Sequence, residues 1–134
     1  MKAAAVLTLA AALLAGGCTF PADPDGTLER VEGGTLRAGA SPSARTRAEV
    51  ALVERFARRL RARVEWTRDG EEHLVARLEA GDLDVVVGGL TKTSPWKQHA
   101  ALTRPYDGRH VMAAPLGENA WLVRLERFLL EEAR

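Results

Sequence analysis

Cysteine is almost missing from this chain: Cys18 is the only one in 134 residues, so no disulfide can form within it. Aromatics are scarce, at 5%. Neither sign of charge dominates, with 19 Lys and Arg against 18 Asp and Glu. Residues 1–17 hold Lys2 and no acid, so the remainder carries equal numbers of the two. That balance gives no electrostatic case for binding nucleic acid or an anionic membrane surface. The apolar run from Ala3 to Ala15 falls short of the ~20 residues that cross a bilayer. There is no internal repeat, no zinc-ligand spacing, no nucleophile elbow and no phosphate loop. Glu71, Glu72, His73, His99 and His110 are the candidate acid–base groups, but none is paired at a spacing that chemistry demands. The expectation is a protein that is not an enzyme and needs neither metal nor cofactor.

The rest is ordinary globular composition, 46% hydrophobic and 28% charged, and the length suits one domain. Met1-Lys2 followed by the apolar run reads as an export signal. It ends Leu14-Ala15-Gly16-Gly17-Cys18, which resembles the lipobox of bacterial lipoproteins. That resemblance implies cleavage after residue 17 and a lipid-modified Cys18, which would explain an unpaired thiol in an exported protein. Residues 18–33 then form an acylated cysteine and flexible tether, rich in Pro21, Pro24, Asp23, Asp25 and Gly26. One helical turn is expected over Thr27–Glu32.

From residue 34 the pattern alternates strands and helices. Thr35–Ala40 reads as a strand ended by Ser41-Pro42-Ser43. Thr46 with Glu49 fits a capping box, and Val53, Phe56, Ala57 and Leu60 give the following helix one buried face. Arg55, Arg58, Arg59 and Arg61 occupy its remaining surface, read as solvated. Arg63–Thr67 is a second strand. Asp69-Gly70-Glu71-Glu72 is another capping box before a helix with Leu74, Val75 and Leu78 inward and Gly81 just past its end. Ser94-Pro95 starts a short helix, Ala101–Thr103 is a brief extended piece, and His110–Ala114 is a last strand. Asn119 is the expected cap of a final helix whose apolar face is Trp121, Leu122, Leu125, Phe128 and Leu129. The order β-α-β-α-β-α-β-α predicts a parallel sheet with helices on both faces.

Gly81 to Trp96 is the organising stretch. Val85, Val86 and Val87 suit a strand covered on both faces. Gly88 and Gly89 permit a sharp turn at its carboxyl end, where ligands bind in open α/β sheets. Thr91, Thr93 and Ser94 put hydroxyls around that spot.

Four segments together resemble the extracytoplasmic solute-binding proteins of amino-acid-type ABC importers: the lipobox, Gly34–Ser41, Leu78–Thr93 and Leu102–Tyr106. The resemblance implies an α/β fold, the type II periplasmic-binding-protein-like three-layer sandwich with a mostly parallel sheet. In that family two lobes close around a small polar solute. Residues 34–134 correspond to the first lobe plus its returning C-terminal helix, with the second lobe absent. It further implies a solute carboxylate beside the loop after the third strand, with Leu90 offering backbone contacts, Thr91 or Thr93 a hydroxyl and N–H, and Ser41 lining the opposite wall. The arginine that family members place after this loop is replaced here by Trp96, with Lys97 beside it. Trp66, Trp96 and Tyr106 are candidates for a recognition surface, with sheet packing the expected role of Trp66 and Tyr106. The implied protein is exported to the cell envelope, held to the membrane by its lipid, and binds an amino acid or small carboxylate weakly, beside a possible transporter subunit. The alternative is a ligand-free scaffold that docks a membrane transporter or itself through the exposed lobe face.

Overall fold

A computed structural model describes residues 20–134; the leader and Cys18 lie outside the described residues. The elements run α1 (Thr27–Val31), β1 (Thr35–Ala40), α2 (Thr46–Arg59), β2 (Arg63–Arg68), α3 (Glu71–Glu79), β3 (Val85–Val87), a 3-10 helix (Pro95–Gln98), β4 (Ala101–Leu102), β5 (Ala113–Ala114) and α4 (Asn119–Glu132). The strands make one sheet in the order β2-β1-β3-β5-β4, which puts β3 in the middle.

Strand β1 pairs in parallel with β2, Leu36 opposite Val64, and with β3, Gly39 opposite Val86. The direction of the last strand differs from expectation. β5 runs antiparallel to β3 and to β4, with Val86 opposite Ala113 and Leu102 also opposite Ala113. The brief piece β4 is therefore the one that runs with β1–β3. The reason lies in the connection: a parallel return needs a crossover of roughly a dozen residues or more, usually a helix. The link from β4 to β5 holds only a tight turn closed by Tyr106 N–H on His110 O at 3.0 Å. The strand expected over His110–Ala114 is regular only at its end, since Thr103 Oγ1 takes the Met112 N–H at 3.0 Å in place of a ladder carbonyl.

Two cores lie on the two faces of the sheet. Val85 and Val87 point into the larger one with Leu36, Val53, Phe56, Trp121 and Phe128, under α1, α2 and α4. Val86 points into the smaller one with Leu74, Leu78, Leu83 and Leu90, under α3. A two-residue period through three buried valines thus serves both cores. The larger core carries an aromatic stack, with Phe56 ring centroids 5.4 Å from Trp121 and 5.2 Å from Phe128. Gly39 is needed where α3 crosses β1, because a Cβ there would lie 2.9 Å from a Leu74 methyl.

The helix caps differ from the sequence patterns. α2 has no side-chain cap, and Glu49 is fully buried with its carboxylate turned into the sheet. α3 begins at Gly70 without a side-chain cap, while Asp69 accepts the Gly70 N–H at 2.7 Å. Asn119 is inside α4, not its cap. The looseness expected of residues 18–33 is not found from Ala22 onward. Asp23 accepts the Leu28 N–H at the start of α1 and the Trp121 N–H at the start of α4, both at 3.0 Å. Ala22 O takes the Asn119 N–H at 3.1 Å. Buried Glu118 accepts the N–H groups of Asp25 and Thr27, at 3.2 Å each, and the Thr27 hydroxyl. Two helix N-termini supply more orphan donors than their own residues satisfy, and these acids draw the segment down.

Candidate functional site

The carboxyl ends of β1 and β3 emerge side by side, and the loops that follow them touch. Ser41 is buried and donates its N–H to Val87 O at 2.9 Å. Gly88 follows with φ +148 and Gly89 with φ +77, a backbone that L side chains rarely adopt. A Cβ on Gly88 would lie 2.9 Å from both the Cβ and the carbonyl oxygen of Ser41, and one on Gly89 would lie 2.9 Å from Ser43 Oγ. The two loops therefore meet backbone to backbone.

Glu49 holds this junction from below. One of its carboxylate oxygens accepts the N–H groups of Gly88 and Gly89, each at 2.9 Å. The other accepts the Tyr106 hydroxyl. The S/T-x-x-E spacing suggests a helix cap, but Glu49 answers the glycine N–H pair instead, buried at Gly88 and half-buried at Gly89. Burial, reinforced by the hydrogen bond to Glu49, pushes the Tyr106 hydroxyl well above its ordinary value. The phenol oxygen of Tyr106 beside its guanidinium raises Arg45 in turn. Arg45 reaches Asp107 at 3.3 Å, and its Nε is enclosed without a partner among the described residues. Burial works against the Asp107 charge, but the N–H of His110 at 2.6 Å, its ring Nδ1 at 2.6 Å and the N–H of Arg109 at 2.9 Å outweigh it. The net result is a carboxyl held at about 2.

Above the glycines, Leu90 is buried and its carbonyl accepts the Val111 N–H at 2.9 Å. Thr91 makes an antiparallel bridge to His110 beyond the end of β3. The hydroxyls of Thr91 and Thr93 lie 3.1 Å apart, with Thr91 half-buried and Thr93 exposed. Ser94 caps the 3-10 helix by accepting the Trp96 N–H. Trp96 itself turns to α3: its indole N–H goes to Glu71, and it lines a cleft of about 280 Å³ with Glu72, Val75 and His99. Lys97 is exposed. The structure thus brings Ser41 to Gly88 and Thr91 to Thr93, and carries Trp96 away from the pair. Trp66 and Tyr106 pack against the larger core and Trp96 against the smaller, so the three do not form one recognition surface. His73 and His99 sit on the surface beside Asp69 at 3.3 Å and Glu79 at 2.8 Å.

Glu49, Arg45 and Asp107 were not found by reading the sequence. The available signal was a glutamate followed by an apolar residue at the first turn of a helix whose inward face is otherwise hydrophobic, which places the carboxylate in the core. No group of acids, histidines and cysteines suited to a metal occurs among the described residues, and no helix among them is long and apolar enough to cross a membrane.

No curated protein matches the chain. Its fold is similar to domain 1 of TmArgBP in two arginine-bound structures. The Phe57Trp mutant aligns with TM-score 0.65 and 22% identity over 73% of this chain and 91% of that one. The other aligns with TM-score 0.64 and 22% identity over 72% and 92%. The L-cystine solute receptor of Neisseria gonorrhoeae aligns at 25% identity and TM-score 0.49, over 60% of this chain and 40% of that receptor. The family described as bacterial extracellular solute-binding proteins, family 3, matches residues 48–130.

Proposed function

The chain belongs to the bacterial extracellular solute-binding proteins, family 3, and from that premise we propose that it is a lipid-anchored, single-lobe binding module of the cell envelope. Its ligand is an amino acid or small carboxylate, held weakly at the loop after β3. The observation that carries this reading is the glycine junction at the strand tips. Glu49 satisfies the Gly88 and Gly89 N–H groups from beneath, which leaves the opposite face of the loop, with the Thr91–Thr93 hydroxyl pair, turned toward solvent. Paired hydroxyls beside a fixed backbone suit a carboxylate.

The affinity follows from the surroundings. Trp96 stands where an arginine fork would be expected and is occupied by Glu71. The lysines of this stretch, Lys92 between the two threonines and Lys97 beyond them, are exposed and lack the bidentate geometry of arginine. A carboxylate on an open shelf pairs in high dielectric, where one contact is worth about 1 kcal/mol, so millimolar affinity is expected. A precedent for ligand binding without a second lobe is the arginine-bound form of domain 1 from TmArgBP. Attachment to the membrane is assigned to Cys18.

Calorimetric titration with a panel of amino acids, arginine included, and small carboxylates tests the binding reading. Heat with one ligand, lost in the double variant Thr91→Ala, Thr93→Ala, is the expected result. No heat with any member, together with dimerisation that grows with protein concentration, overturns it in favour of the docking scaffold.

A further inference from the structure

Large apolar side chains left in water are few among the described residues: Phe20, Leu116, Val123 and Leu130, at 80%, 53%, 38% and 49% exposure. Two of them are on α4, and the other two lie in the segments that border its start. Val123 and Leu130 lie two turns apart on the outer face of α4, opposite the buried Trp121, Leu125 and Phe128. Leu116 is in the loop that feeds α4. Phe20 shares with Leu122 and Val123 a groove of about 540 Å³, which Pro21, Ala22 and Gly117 also line. Isolated exposed leucines need no explanation, but a set gathered around one helix does.

The chain itself indicates what covers this face. Phe20 is the first described residue and follows Cys18 by two positions, so a lipid on Cys18 brings a bilayer to within two residues of the apolar set. We propose that the outer face of α4, with Phe20 and Leu116, lies on the phospholipid surface and fixes the orientation of the domain there. This rests on the anchored reading of Cys18. The balanced charge of the chain beyond its leader means that the contact is apolar and indifferent to headgroup charge. Arg127 lies on the same helix face between Val123 and Leu130, where its long stem suits the interface and its guanidinium the headgroups. Docked in this way, the domain presents a constant side to the envelope space instead of turning freely on its tether.

The test uses residues 18–134, which keep every described element. Cys18 is coupled to a maleimide lipid in phosphatidylcholine nanodiscs doped with a gadolinium-headgroup lipid, and the backbone amides are followed by NMR. The expected result is relaxation enhancement at Leu116, Val123, Arg127 and Leu130 at least about fivefold above that at Thr91 and Lys97. The contrast should vanish in the triple variant Leu116→Ser, Val123→Ser, Leu130→Ser, whose amide spectrum otherwise stays folded. Equal enhancement over the whole domain overturns the proposal, as does protection of α4 by a second copy in solution without nanodiscs. Acylation of Cys18 is read separately, from the mass of the full chain recovered from an expressing cell envelope. Docking of the coupled protein without acylation in the cell sustains the surface and removes the anchor; acylation without docking does the reverse.

Discussion

The two ends of β3 are built from the same parts to different purposes. Each end has a glycine at positive φ, Gly81 before the strand and Gly88 after it, and each has at least one buried acid. At the amino end the acids hold the fold together. Asp84 takes Arg30 and Arg37 and receives the Arg37 N–H at 2.9 Å, while Glu118 and Asp23 stop the open ends of α1 and α4. At the carboxyl end Glu49 grips a loop, through two glycine N–H groups and Tyr106. Partners at the amino end are side chains and helix termini, so losing one costs stability. Partners at the carboxyl end are the backbone of the candidate site, so a change there also moves what the loop presents.

The glycines give the widest separation. A Cβ on Gly88 meets the wall of Ser41, whereas one on Gly81 meets nothing within 4 Å. Gly88→Ala should cost about 3 kcal/mol or more, from strain plus overpacking. Gly81→Ala should cost about 1 kcal/mol from its φ alone. Thermal unfolding of the two variants measures the gap, and equal losses would break the contrast.

Next in size are the acids. Glu49→Gln offers an NH2 group where donors already converge, and Glu118→Gln does the same at the other end. Each should lose about 2 kcal/mol in denaturant unfolding. Only Glu49→Gln should also reduce the calorimetric heat of whichever solute binds, because only there is the disturbed backbone the site itself. A matching loss of binding in Glu118→Gln would show that the two ends are coupled.

A pH effect comes third. Asp107 is depressed from an ordinary 3.8 to about 2, so it contributes stability that is fully present above the unfolded value and is lost as pH falls through about 2. Its carboxyl resonance should titrate near 2. The part of the acid destabilisation between about pH 4 and pH 2 that belongs to this group should be missing in Asp107→Asn.

The smallest effects separate real caps from apparent ones. Asp23→Ala removes acceptors from two helices and should cost about 1–2 kcal/mol. Asn119→Ala should change stability by less than about 0.5 kcal/mol, because no cap hydrogen bond is made there.

The elements were legible in the sequence where burial alone decides them. Val85–Val87 has the expected bounds because a fully buried β-branched run has few alternatives, and Thr35–Ala40 because Gly34 opens it and Ser41-Pro42 closes it. Strand direction was not legible at Ala113–Ala114, since periodicity is the same in both senses and only the absence of a crossover helix distinguishes them. The caps failed for a shared reason. Thr46 and Glu49, or Asn119, satisfy a local rule, but Glu49 and Glu118 answer donors far off in sequence: Gly88 is 39 positions from Glu49 and Thr27 is 91 from Glu118. The threonine pair was visible because it follows directly from a strand and two glycines. The turning of Trp96 to α3 was not, since it depends on where Glu71 lies in space.

The fastening of Asp23 and Ala22 to the head of α4 has a mechanical consequence. Tension on the chain ahead of Ala22 reaches Asn119 and Trp121 first, and Trp121 is in turn tied by its indole N–H to Asp84 O at 2.8 Å. The load therefore enters at the head of a helix locked by an aromatic stack and passes to the middle strand of the sheet, not to its rim.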